Sequence, residues 1–123
     1  MCYERGDIIW VDVQERDPNK IRHPAIIWDY YKGYNEFTGI MLTHSPPSDK
    51  FNNILMREEH FVKGRQVVFN NTHFVNQLFT KFNSWGPFYI AGKLTSAGVQ
   101  FIADNMTNNG AIEFMEYLPA LNG

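Results

Sequence analysis

Cysteine is almost absent from this 123-residue chain. Cys2 stands alone, which excludes an internal disulfide and any zinc site built on paired thiolates. Long hydrophobic runs are absent too: no stretch approaches the ~18 apolar residues of a membrane-spanning helix, so no membrane partner is expected. The opening Met1-Cys2-Tyr3-Glu4-Arg5 carries charge and no apolar signal core, which points to a cytoplasmic protein. Basic charge is not in excess: eleven Lys and Arg stand against thirteen Asp and Glu, a net −2. Such a balance does not advertise a general nucleic-acid surface. All the basic residues lie at or before Lys93, with only Asp104, Glu113 and Glu116 after it, so a local basic groove stays open to the first part. Phosphate-cradling glycine loops and a G-x-S-x-G elbow are missing. His23, His44, His60 and His73 form no H-x-x-x-H pair and have no acidic neighbour at ligand spacing, so neither metal nor cofactor is expected.

What the chain does have is aromatic and β-branched residues: 44% hydrophobic, 15% aromatic, ten Phe, six Tyr and three Trp. Disorder is excluded, and strands are favoured over helices. Area scaling gives a folded surface of roughly 6,800 Å² against about 20,700 Å² extended, enough burial for one domain over residues 1–123. Strands are predicted at Asp7 to Val13, Ala25 to Tyr31, Phe37 to Thr43, Ile54 to Arg57, Gln66 to Phe69 and Leu78 to Phe82, with an apolar stretch from Phe88 to Ala91. Polar loops and Pro or Gly turns separate them. Thr95 or Ser96 caps a helix over Ala97 to Met106, and Ile112 to Tyr117 alternates as an extra edge strand. The expected fold is mainly β: a small, strongly bent antiparallel sheet or barrel of short strands with one appended helix. Trp10, Ile26 and Met41 are expected in a core or an interface, because the apolar strands exceed what one small barrel covers.

Two clusters carry candidate chemistry. The loop after the first strand gathers Arg16, Lys20, Arg22 and His23 beside Glu15 and Asp17. It is either a solvated charged loop or a cationic phosphate contact fixed by the strand that follows. Thr43-His44-Ser45 closes the third strand before Pro46-Pro47. Its hydroxyls and imidazole either satisfy a turn or orient a phosphate and move a proton.

Gly6-Asp7-Ile8-Ile9-Trp10-Val11-Asp12-Val13 resembles the opening strand of the MazF/PemK family of toxin ribonucleases, G-D-[IVL]-[VI]-W-V-[DN]-[FL]. Arg22-His23-Pro24-Ala25-Ile26-Ile27 stands where that family has [HR]-R-P-A-[VL]-[VI], with His23 in place of the arginine beside the proline. Met41-Leu42-Thr43-His44 takes the place of P-[IL]-[TS]-[ST], and Val75-Asn76-Gln77 that of A-D-Q. Ile90 to Thr95 and the following helix match in kind, so the resemblance runs from residue 6 to about 106. It implies a small SH3-like barrel of short antiparallel strands with a C-terminal α-helix, a symmetric homodimer, metal-independent cleavage of single-stranded RNA, and restraint by an antitoxin protein. Within that implied activity Arg22 steadies the charged phosphorane, Thr43 orients the scissile phosphate, and His23 or His44 moves protons. Arg16, Lys20, Ser45, Gln77 and Lys81 are the expected substrate contacts. Tyr30, Tyr31 and Tyr34 are candidates for base stacking. A rival reading keeps the barrel and drops catalysis, leaving a module that binds RNA, a peptide or a protein. A third makes the chain an assembly protein that pairs through its last strand.

Overall fold

Ala25-Ile26-Ile27-Trp28 and Ile40-Met41-Leu42 are unbroken apolar runs, and a strand of that kind must be buried on both faces. The computed structural model, which describes residues 3–11, 23–31, 36–44, 47, 52–80, 89–107 and 110–113, meets that demand. Its elements are β1 (Asp7–Val11), β2 (His23–Tyr31), β3 (Glu36–Thr43), β4 (Asn53–Leu55), a 3-10 turn (Glu58–His60), β5 (His73–Thr80), β6 (Ile90–Lys93), α1 (Ser96–Asn105) and β7 (Ile112–Glu113). They form one sheet in the order β4-β5-β3-β2-β1-β6, antiparallel throughout, with the two-residue β7 added in parallel to β5.

Successive strand residues point to opposite faces, and each face has its own core. Ile8, Ile26, Trp28, Ile40, Leu42, Phe74 and Leu78 join Met56, Phe61, Leu94 and the helix residue Ile102 on one side. Ile9, Ala25, Ile27, Phe37, Met41, Val75, Phe79 and Tyr3 form the other, with Ile112 of β7 packed against it. Ile26 and Met41 are thus buried inside a single chain, and Trp10 is half-buried.

The two sheet edges contribute to one core because the segment after β4 crosses between them. Phe61 bridges Leu94, while the Val62 N–H donates to Lys93 O at 2.9 Å and the Val67 N–H to Ala91 O at 2.9 Å. These isolated bonds replace a continuous ladder, so the edges are joined without a seam of paired strands. For the same reason the strand expected at Gln66 to Phe69 does not form.

Other boundaries differ from expectation. β2 begins two residues before Ala25, β4 covers Asn53–Leu55, and β5 begins at His73 rather than Leu78. Residues 12–13, 81–88 and 114–117, parts of the segments expected at Asp7 to Val13, Leu78 to Phe82, Phe88 to Ala91 and Ile112 to Tyr117, lie outside the described residues. The Thr95 cap is as expected: its hydroxyl accepts from the Gly98 N–H at 3.2 Å.

The 3-10 turn anchors α1. Thr95 donates its N–H to His60 O (2.9 Å) and its hydroxyl hydrogen to Glu59 O (2.8 Å). His60 is 1% exposed, stacks on Phe101 at 4.4 Å, and accepts the Arg57 N–H on Nδ1 at 3.0 Å. Burial, and then the Arg57 charge, push its pKa below 6.5, with Glu59 opposing. Gly98 lies so close that a Cβ there would meet His60 O at 2.4 Å.

Two expected outcomes follow from this anchor. Gly98→Ala gains about 1 kcal/mol of helix propensity but forces a methyl onto a backbone carbonyl, which costs about 1–3 kcal/mol. The variant should therefore lose stability, read as a lower urea midpoint. For His60, a folded-state pKa below the unfolded value means that the unfolded chain takes up a proton the fold refuses. Stability should hold above about 6.5 and decline as the pH falls below it. Urea titrations either side of that value should show the decline in the native chain and less of it in His60→Gln.

Candidate functional site

Antiparallel pairing brings the start of one strand to the end of the next, and this collects the chemistry of the sequence at one end of the sheet. His23, the first residue of β2, pairs with Val11. Ala25 pairs with Met41, so two residues further along each strand His23 and Thr43 stand at the same end. Thr43 pairs with His73, the first residue of β5, and His73 pairs on its other side with Leu55, the last of β4. A row across four strands results: His23, Thr43, His73, Leu55, with the exposed His44 following Thr43.

The register of that row is set by a bulge. Ile40 pairs with Leu78 and Leu42 with Phe74, so Met41 alone faces Val75, Asn76 and Gln77. The three-for-one mismatch brings His73, rather than a residue further along β5, opposite Thr43.

His73 is 8% exposed, and its Nδ1 lies 3.2 Å from the Asn71 carbonyl oxygen. Asn71 has a left-handed backbone, φ 50°, which asparagine tolerates better than most residues. The Asn70 N–H donates to the Thr72 hydroxyl at 2.9 Å, and the Met56 N–H donates to Thr72 O at 2.9 Å. The Asn70-Asn71 turn is therefore a fixed one, and the histidine that leaves it is held by its backbone. Thr43 is half-buried at the edge of the apolar face, and Leu55 is 49% exposed, so the row is open to solvent on the β4 side.

Of the expected site residues, Thr43, His44 and the backbone of His23 come together here. Arg16, Lys20, Arg22, Ser45 and Lys81 lie outside the described residues, as does Tyr34. Gln77 stands apart from the row. It is 8% exposed, and its Nε2 donates to Leu78 O at 2.9 Å and to Gly110 O at 2.7 Å, an internal task rather than a surface one. Its neighbour Asn76 works alike, donating Nδ2–H to the Thr107 hydroxyl (2.6 Å) and accepting the Thr107 N–H on Oδ1 (3.0 Å). Tyr30 packs edge-on against Tyr3 at 5.3 Å, while Tyr31 is 48% exposed. Several described cations are engaged elsewhere. Arg5 holds Trp28 O and Asp29 while lying over the Trp28 ring. Lys93 faces buried Asp7, which raises its pKa.

His73, one of four histidines without metal-ligand spacing, carries no site role in the sequence reading. Its signal was the Asn70-Asn71 turn just before it, which marks a strand start and so a place in an end row. Among the described residues, no three His, Cys, Asp or Glu side chains converge as a metal site would require.

Gln77→Ala should lower stability by about 1–2 kcal/mol, because it leaves the Gly110 carbonyl without its amide donor. The measurement is a thermal melt, in which the midpoint should fall.

The chain was compared with protein-family models, curated proteins and solved structures, and no match was found in any of the three.

Proposed function

We propose that the chain is a metal-independent endoribonuclease of the MazF/PemK type, cutting single-stranded RNA at the β2–β3–β5 end of the sheet. The observation that supports this reading is the pairing of Thr43 with His73 in a row that also begins with His23 and is followed by His44. RNA cleavage by its own ribose needs a base for the 2′-OH, a group to orient the phosphate, a cation for the charged phosphorane and an acid for the leaving oxygen. Histidine suits both proton transfers near neutrality. The Thr43 hydroxyl is the positioning group, and His44 is the exposed acid. Arg22, adjoining His23 in the chain, supplies the guanidinium. On this reading two copies form a symmetric dimer and an antitoxin protein restrains them, both taken from the resemblance alone.

The test is cleavage of single-stranded RNA in excess EDTA, with a 2′,3′-cyclic phosphate expected on one product. Arg22→Ala and Thr43→Ala should each cut the rate by about 10²–10³-fold, the size of removing one transition-state contact. His23→Arg restores an arginine beside Pro24. It should raise the rate if His23 is a substituted cation site and lower it if His23 transfers a proton. RNA bound but never cut would replace this reading with the non-catalytic RNA-binding module.

A further inference from the structure

At the sheet end one imidazole is fixed by one nitrogen only. The Asn71 carbonyl can only accept, so His73 Nδ1 carries the ring hydrogen of the 3.2 Å contact. A neutral imidazole has a single N–H, and Nε2 is left with its lone pair, the form a proton acceptor needs. Among the described residues, Nε2 has no hydrogen-bond partner.

The neighbours fit a substrate contact better than a packing role. Directly opposed residues have Cβ atoms about 4.5–5.5 Å apart, so the Thr43 hydroxyl and the His73 ring share one patch. Neither flanking residue in the row, Thr43 or Leu55, carries a charge. His44, just past the end of β3, is the titratable residue that follows Thr43 in sequence. Leu55, 49% exposed, offers an apolar surface beside the ring.

We infer that His73 is the group that accepts the ribose 2′-OH proton, with Asn71 as its positioning residue; this rests on the ribonuclease reading above. The 2′-oxygen gives its proton to Nε2 and bonds to phosphorus. The P–O5′ bond breaks, and the departing 5′-oxygen takes a proton from the His44 imidazolium. A 2′,3′-cyclic phosphate and a 5′-hydroxyl result; His73 returns its proton to water, and His44 regains one.

His73→Asn tests this with the fold protected, because the amide NH₂ can still donate to the Asn71 carbonyl. Single-turnover cleavage of a short single-stranded RNA is measured from about pH 5 to about pH 9, beside thermal melts. Long-range ¹H–¹⁵N correlation spectra of the native chain report the His73 tautomer. The expected result is a rate about 10²–10³-fold lower, an unchanged melting midpoint, loss of the acidic limb of the native pH profile, and an Nδ1–H tautomer. A variant that cuts at the native rate overturns the inference and leaves the ribonuclease reading standing. So does a slow variant whose acidic limb persists, which marks a structural role, or an Nε2–H tautomer. A native chain that cuts no single-stranded RNA overturns the ribonuclease reading itself, and this assignment with it.

Discussion

Burial of β2, β3 and β5 on both faces is the constraint from which the rest of the structure follows. Ile26 and Ile27, or Ile40 and Met41, are sequence neighbours that enter different cores. A sheet of this kind needs a cover on each side. On one side the cover is α1 with the 3-10 turn; on the other, Tyr3 and the β7 arm contribute. Each cover is tied by directional bonds as well as apolar contact: Thr95 to the turn carbonyls, Asn76 and Gln77 to Thr107 and Gly110.

This division explains why buried polar groups cluster in β5. Asn76 and Gln77 are each 8% exposed, and buried amides are costly unless bonded. The bulge opposite Met41 takes them out of the regular ladder and turns them toward the C-terminal arm. The same bulge sets the register that places His73 beside Thr43. One irregularity in one strand thus serves the fold and the candidate site together.

How much of this the sequence discloses depends on whether the deciding interaction is local. β1, β2, β3 and the helix are legible because apolar runs, Pro24 and the Thr95 cap act within a few residues. The first half of β5 is not legible: His73, Asn76 and Gln77 break the apolar pattern, and their partners lie far along the chain. Gln66 to Phe69 has strand composition but finds one backbone partner, at Ala91, and remains irregular. At the site, Thr43 and His44 stand out by chemistry and position. His73 does not, because its place beside Thr43 depends on a register that no local pattern records. Gln77 fails in the opposite direction, as a polar residue that looks external and is enclosed.

The strand order has a kinetic consequence. β2 and β3 meet across a short connection, Tyr31 against Glu36, and that hairpin closes a small loop. β1 and β6 meet at Asp7 and Lys93, so that pairing requires most of the chain to be brought together first, and the edge bridge from Phe61 to Leu94 also spans far more chain than the hairpin does. Loop-closure entropy must be met before such distant contacts stabilise anything. The central hairpin is therefore the early structure, and the pairing that brings α1 onto its core comes late. Until it does, Ile8, Ile26 and Ile40 are exposed on a half-built sheet, and collapse there is the step at which aggregation competes with folding.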